Sequence, residues 1–149
     1  MSDKKRVLFL STGNACRSQM AEGFAETLAA HLIEGRSAGV DPAAEVDARA
    51  VKVMNEDWTD ISGRTPKAVT DDMLAEVDLV ITLSDEARER CPALPEGVEC
   101  RHWPIEDPST ASGEEQRVMN AYRGVQDEVK ENILFLINEV RGGDEEFQI

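Results

Sequence analysis

Basic residues are scarce in this chain of 149 residues. Sixteen Lys and Arg stand against 30 Asp and Glu, which gives a formal net charge of −14 at pH 7. An overall negative field repels polyanions, so the composition argues against a nucleic-acid partner and against an anionic membrane surface. The same field also repels small anionic substrates. Any anion site in this protein therefore needs a local positive pocket.

Long apolar runs and a cysteine framework are also missing. No run approaches the roughly 20 residues that span a membrane, and no signal peptide is visible. We therefore expect a cytoplasmic protein without membrane contact. The three cysteines, Cys16, Cys91 and Cys100, are odd in number and irregularly spaced, which does not fit a disulfide framework. Because a reducing compartment keeps thiols free, redox or catalytic use of them is the better interpretation.

Strand and helix patterns alternate along the chain. Short apolar runs predict four strands, at residues 7–10, 36–40, 78–83 and 98–103. Helical patterns lie between and after them, at residues 19–34, 48–56, 71–75, 84–90 and 114–140. This alternation predicts a single doubly wound α/β domain over residues 1–149, with a four-stranded parallel sheet flanked by helices.

Local signals predict where the helices begin and end. Gly35 is expected to stop the first helix near residues 31–34, and Asp47 is expected to cap the second. Gly142 and Gly143 are expected to end the long last helix, which leaves residues 144–149 as a frayed tail. Apolar residues at helical spacing on that helix predict a face buried in the core: Val118, Tyr122, Val125, Val129, Ile133, Leu136, Ile137 and Val140.

Residues 11–18 join the first strand to the first helix, and they have the composition of an anion site. Backbone N–H groups of a small-residue turn and the helix dipole both favour a negative ligand. Arg17 adds a planar donor fork, and Ser18 can cap the helix or bond the residue at the head of the loop. The alternative is an ordinary strand-to-helix turn with Arg17 on the surface. The candidate oxyanion-binding residues are Thr12, Gly13, Asn14, Ala15, Cys16, Arg17 and Ser18.

This loop and the run RSQMAE at residues 17–22 resemble the low-molecular-weight protein tyrosine phosphatase fold family, most closely its arsenate reductase branch. Motifs at residues 36–39, 78–83, 91–95, 102–103 and 106–108 follow in the family's order, so the resemblance covers nearly the whole chain. It implies reduction of arsenate to arsenite through a cysteine thiol and disulfide cascade. Arsenate, phosphate or sulfate is the ligand implied for the loop.

The family pattern implies a cysteine nucleophile at the first loop position, where this chain has Ser11. The loop amides, Arg17 and the helix N-terminus lower the pKa of a thiol, but a serine hydroxyl starts far too basic. We therefore expect oxyanion binding without turnover. Cys16 stands at the loop's second cysteine position, either reactive beside Arg17 or packed as a small apolar residue.

The resemblance implies two further thiols, and only one is present. Cys91 is in place, whereas the resolving position holds Ser84. Serine at both early redox positions favours an engineered variant over a natural inactive homologue. Alternatively, Ser84 is a native helix N-cap, and a low-molecular-weight thiol serves instead. Thioredoxin or another thiol reductant, acting through Cys91, is the implied partner.

Asp107 is the implied general acid, which protonates the leaving oxygen. Pro108 restricts Asp107 to an extended conformation, which lets its carboxylate reach over the pocket. The alternative is an Asp-Pro loop that caps its own backbone. Cys100, in the predicted fourth strand, is expected to be a small core residue.

Asn14 is expected to brace the loop and to accept left-handed backbone angles. In some members of the branch, the positions of Asn14, Glu22 and Ser37 help to hold a monovalent cation, and the remaining carboxylate position holds Lys67 here. We hypothesise that the Lys67 ammonium replaces a potassium ion, with a surface side chain as the alternative. No metal site or tightly bound cofactor is expected, and the protein is expected to be a monomer.

Two other functions stay open at this stage. A phosphotyrosine phosphatase would use the same loop, but phosphatases of this fold carry aromatic residues near the pocket, and residues 107–113 have none. A natural, non-catalytic oxyanion-binding protein with a native Ser11 is the other alternative.

Overall fold

The computed structural model describes residues 4–145 of the chain. Its core is a four-stranded sheet in which every pairing is parallel, in the order β2-β1-β3-β4. This confirms the predicted α/β architecture. The strands are β1 (Lys5–Ser11), β2 (Ile33–Gly39), β3 (Leu79–Thr82) and β4 (Glu99–His102).

Helices cover both faces of the sheet. Successive residues of a strand point to opposite sides, so apolar side chains lie on both faces and each face needs helices to bury them. The helices are α1 (Arg17–Ala29), α2 (Ala48–Glu56), α3 (Asp71–Ala75), α4 (Asp85–Arg90) and α5 (Glu115–Glu145), with a 3-10 turn at Pro108–Thr110. Val7 and Phe9 of β1 belong to the larger apolar cluster, under α1, α2 and α5. Leu8 and Leu10 belong to the smaller cluster, under α3 and α4.

The predicted apolar face of α5 lies in the larger cluster. All its members are buried except Val140, which is partly buried and packs against the same cluster. Asp47 caps α2 as predicted, since its carboxylate accepts the Arg49 N–H at 2.9 Å. Within residues 4–145, no helix is long and apolar enough to cross a membrane.

The predicted end of the first helix is wrong. The helix stops at Ala29, and Gly35 lies inside β2, opposite Val7. A Cβ atom at Gly35 would stand 3.1 Å from the Ala25 Cβ and 3.4 Å from Phe9 Cε2. The glycine therefore serves close packing of α1 on the sheet.

The predicted end of the last helix is also wrong. Gly142 and Gly143 lie within α5, which continues to Glu145. Glycine in a helix interior costs only about 1 kcal/mol, which a long, already formed helix tolerates. Residues 144 and 145 are thus helical rather than frayed, and residues 146–149 of the predicted tail lie outside the described residues.

Candidate active site

The head of the loop is the Ser11 hydroxyl, at the carboxyl end of the central strand β1. It is buried, lies 2.6 Å from the Ser18 hydroxyl and accepts the Asn14 N–H at 3.2 Å. Ser18 therefore bonds the head of the loop, one of its two predicted roles. It does not cap α1, whose N-cap residue is Cys16 and which has no side-chain cap. The first-turn amides of α1 are left to the loop and its ligand.

Asn14 braces the loop as predicted. It is fully buried at a φ of 53°, in the left-handed region that asparagine tolerates. Its amide nitrogen donates to the Ser18 hydroxyl at 2.8 Å. Its amide oxygen accepts the Lys67 N–H at 3.0 Å and the Gln19 side-chain amide at 3.2 Å. One side chain thus joins the loop, α1 and the segment before α3.

Gly39, which the sequence analysis did not select as a site residue, fixes the loop from the neighbouring strand. A Cβ atom there would lie 2.8 Å from the Thr12 carbonyl oxygen and 3.0 Å from the Asn14 nitrogen. Real Cβ atoms do not approach backbone this closely, so the end of β2 can pass under the loop only as glycine.

Arg17 is buried rather than on the surface, with 9% of its area exposed. One terminal nitrogen donates to the Ile105 carbonyl at 2.8 Å, and the other lies 3.7 Å from the Asp107 carboxylate. The carbonyl holds the guanidinium in place beside the loop. The surface-turn alternative for this residue is therefore wrong.

Asp107 caps its own backbone and also reaches the pocket, so the two arrangements that the sequence offered for it occur together. One carboxylate oxygen accepts the N–H and the hydroxyl of Ser109, at 2.9 and 2.7 Å, which caps the 3-10 turn. The other oxygen is the one that faces Arg17. Asp107, Ser109 and Asp47 line a pocket of about 250 Å³ together with residues 11–17.

Ser84 lies beside the loop because β3 is paired with β1. Its hydroxyl is 2.8 Å from the Thr12 hydroxyl and accepts the Ala87 N–H at 3.0 Å. Ser84 is thus the N-cap of α4, which was the alternative interpretation, and it also directly contacts the loop at residues 11–18, the anion loop. Cys91 follows the other end of α4 and is half-buried.

The three cysteines are free thiols in different environments. Burial, and then the Asp47 carboxylate, raise the pKa of Cys16 far above that of an ordinary thiol, against the opposing effect of Arg17. This favours packing over reactivity. Burial also raises the pKa of Cys91. The prediction for Cys100 is wrong: it is exposed, because β4 is an edge strand.

The cation beside Glu22 is an arginine that the sequence analysis did not consider. Arg64 places one guanidinium nitrogen 2.9 Å from Glu22 and the other 2.9 Å from Glu26, and the Ser37 hydroxyl donates to Glu22. Lys67 reaches the site through its backbone N–H, and its side chain is exposed, as the surface alternative had it. The binding of a potassium ion stays a prediction.

Asp47, the N-cap of α2, lines the pocket and is supported from behind by Tyr122 of α5. The Tyr122 hydroxyl donates to Asp47, and the Asp47 N–H donates to the Ala15 carbonyl at 2.9 Å. Burial, followed by this hydrogen bond, raises the pKa of Tyr122. Tyr122 also belongs to the core and Asp47 also caps α2, as predicted from the sequence.

The family model of low molecular weight phosphotyrosine protein phosphatase matches residues 6–145. The chain belongs to this family. Among its relatives, the arsenate reductase of Bacillus licheniformis is 42% identical over 130 residues, which cover 87% of this chain and 93% of that protein. The arsenate reductase of Bacillus subtilis is 39% identical over 127 residues, 85% of this chain and 91% of that one. These relatives confirm the resemblance to the arsenate reductase branch of the phosphatase family.

Solved structures of the family superpose on this one. An arsenate reductase in the phosphate binding state has a TM-score of 0.74 at 34% identity, covering 91% of this chain and 98% of that one. The thioredoxin-dependent arsenate reductase of Corynebacterium glutamicum has a TM-score of 0.76 at 28% identity and covers 94% of this chain. This chain spans 63% of the length of the Corynebacterium protein.

Proposed function

We propose that this protein is an arsenate reductase scaffold in which serines occupy the first two thiol positions, so that it binds a tetrahedral oxyanion without turning it over. The observation that carries the proposal is the contact between Ser84 and Thr12, with 2.8 Å between the two hydroxyl oxygens. A phosphatase needs one nucleophile at this loop. A reductase needs a second thiol within reach of the first, and the contact of Ser84 with Thr12, the residue after Ser11, supports position 84 for that role.

The pocket can hold an anion despite the net charge of −14. The loop amides, the uncapped N-terminus of α1 and the Arg17 guanidinium all present donors or positive charge on one side of the pocket. Electrostatic attraction from fixed, partly buried donors is far less screened than repulsion from exposed surface carboxylates. The local field therefore decides the occupancy of the loop.

A thiol in place of the Ser11 hydroxyl would meet the groups that stabilise a thiolate. The Ser18 hydroxyl and the Asn14 N–H are already within hydrogen-bond distance of the Ser11 oxygen. Hydrogen bonds to the charged form lower the pKa of a thiol into the neutral range. They leave a serine hydroxyl protonated at neutral pH, so the unaltered chain lacks a nucleophile.

The proposed reaction belongs to a form with thiols at both positions. The thiolate of a Ser11→Cys variant attacks arsenic(V), and Asp107 donates a proton to the oxygen that leaves as water. The thiolate of Ser84→Cys then attacks that sulfur. The sulfur–arsenic electron pair moves to arsenic, which leaves as arsenite, and a disulfide between positions 11 and 84 remains.

Cys91 completes the cascade only if α4 unwinds. It lies seven positions after Ser84, and at 1.5 Å per helical residue their Cα atoms lie about 10 Å apart. A disulfide needs Cα atoms within about 7 Å. Attack by Cys91 on the disulfide therefore draws the short helix apart and moves the bond outward, where thioredoxin or another dithiol can supply two electrons. A monomer suffices for this sequence of steps.

Two double variants test this function. The Ser11→Cys, Ser84→Cys protein should form arsenite from arsenate when thioredoxin and its reductase are supplied. The Ser11→Cys, Ser62→Cys protein is the matched control, with the same thiol count but the second thiol on an exposed loop. We expect it to form no arsenite with thioredoxin.

Aryl phosphate hydrolysis by the same variants separates the reductase from a phosphatase. Rapid hydrolysis by both variants, without arsenite from either, would replace the reductase by the phosphatase. Failure of the unaltered chain to bind phosphate would overturn the oxyanion pocket itself.

The activity of the Ser11→Cys, Ser84→Cys protein should also be measured with and without potassium. We expect it to be independent of potassium, because the Arg64 guanidinium already lies beside Glu22.

A further inference from the structure

We propose that Asp47 makes this pocket select oxyanions that carry a proton, such as phosphate and arsenate, over fully deprotonated sulfate. This inference rests on the proposed function and concerns the specificity of the same site. It gives Asp47 a role in addition to helix capping.

Asp47 is fixed to the anion loop from two directions. Its N–H donates to the Ala15 carbonyl at 2.9 Å, which ties the start of α2 to the loop backbone. Its carboxylate accepts the Arg49 N–H at 2.9 Å on one oxygen and the Tyr122 hydroxyl on the other. Asp47 is therefore held in a fixed position in the wall of the oxyanion pocket.

Acceptor capacity remains on this carboxylate. Its two oxygens have about four acceptor sites, and the two contacts described above use one on each oxygen. An ionised carboxylate is an acceptor only, so any further partner from the pocket side must bring a proton. A ligand oxygen without a proton would instead be repelled by it.

The charged groups around Asp47 leave it this role. The Arg49 guanidinium is held by Glu115, with hydrogen bonds of 2.8 and 3.2 Å. Arg17 donates to a backbone carbonyl and faces Asp107. Cys16, with a pKa raised by burial, contributes no charge at neutral pH. Asp107 has the opposite task in the proposed reaction, because it donates a proton to the ligand.

The chemistry of the ligands supplies the discrimination. Near neutral pH, phosphate and arsenate keep one or two protons, and each such O–H group can donate to a carboxylate. Sulfate has none, so against Asp47 it leaves two acceptors facing each other inside a partly buried pocket. Phosphate gains a hydrogen bond to the charged carboxylate, whereas sulfate leaves that acceptor unpaired. This difference corresponds to at least about a tenfold difference in affinity.

Titration calorimetry on the unaltered chain tests this directly, with inorganic phosphate and with sulfate at pH 7 and constant ionic strength. We expect phosphate to bind at least about tenfold more tightly. Asp47→Asn should reduce that ratio to about threefold or less, mainly by tighter sulfate binding. Asparagine is an equally good N-cap, so α2 keeps its start in this variant.

Glu45→Gln is the matched control, since it removes one negative charge from an exposed position in the same loop. The control should keep the full ratio. Equal binding of the two ions by the unaltered chain, or an unchanged ratio in Asp47→Asn, overturns the inference while the proposed function stands. An equal change in Glu45→Gln overturns it too, because overall charge then explains the effect. Absence of phosphate binding overturns the proposed function and this inference together.

Discussion

Replacing Asn14 by alanine should destabilise both the fold and the anion loop. Asn14 is fully buried and makes three side-chain hydrogen bonds, to Ser18, Lys67 and Gln19. Each contributes about 1 kcal/mol net, and alanine at the positive φ of 53° costs about 1 kcal/mol more. Two of the partners keep another contact, since Ser18 still meets Ser11 and Gln19 still meets the residue 14 carbonyl.

The expected loss in the free energy of unfolding is therefore about 2–4 kcal/mol for Asn14→Ala, or a melting temperature lower by roughly 5–15 °C. Urea denaturation followed by circular dichroism measures it. Asn14→Gly is the matched variant, because it loses the same hydrogen bonds but tolerates the positive φ. It should be more stable than Asn14→Ala by about 1 kcal/mol.

Phosphate affinity should fall in both Asn14 variants, since the loop loses its brace. A loss in Asn14→Ala below about 0.5 kcal/mol would refute the hydrogen-bond reasoning, since that is the ordinary scatter of surface substitutions. A glycine variant less stable than the alanine variant would refute the backbone part.

Three other substitutions give independent checks by denaturation. Tyr122→Phe should cost about 1–3 kcal/mol, because the partly buried Asp47 loses a donor, and a cost near zero would contradict this. Trp58→Gly should stabilise the protein by about 0.5–1 kcal/mol, because Trp58 is 92% exposed and its φ of 60° strains any residue with a Cβ atom. Destabilisation would contradict this reasoning. Hydrogen bonds from Arg6 lower the pKa of Asp78 in the folded protein. The ionised carboxylate therefore stabilises the fold above the unfolded-state pKa of about 3.9, and this stabilisation is lost on acidification below that pH. Asp78→Asn should reduce the free energy of unfolding at pH 7 by less than about 1 kcal/mol, because the pair is exposed, and should have no effect near pH 2. An equal loss at both pH values would contradict this.

The sequence predicted those parts of the fold that depend on neighbours along the chain. Short apolar runs marked the strands, and the cap at Asp47 was visible because a helix N-cap acts within three residues. Gly35 and Gly142 were misread for different reasons. Gly35 lies inside β2 because it packs against Ala25 and Phe9, which no local pattern shows. A Cβ atom at Gly142 would meet nothing within 4 Å, and the long, already formed helix α5 tolerates the glycine.

The candidate site divides in the same way. Residues 11–18 are contiguous, so the sequence alone predicted an anion site there. The roles of Ser84 and Asp107 were predicted only from the family resemblance. Arg64 was missed in favour of Lys67 because the path of an irregular segment decides which side chain reaches Glu22. The contact between Asp47 and Tyr122 spans 75 positions, and no local pattern announces it.

The central claim is that this loop holds arsenate against a thiol at position 11, with a second thiol position beside it. The most direct measurement is a single turnover of the Ser11→Cys, Ser84→Cys protein with arsenate and no external reductant, with arsenite and protein mass followed together. We expect about one arsenite released per protein molecule, with a protein mass lower by two hydrogen atoms, because the disulfide forms as two electrons pass to arsenic. Arsenate consumed without arsenite, or no disulfide in the recovered protein, would contradict it.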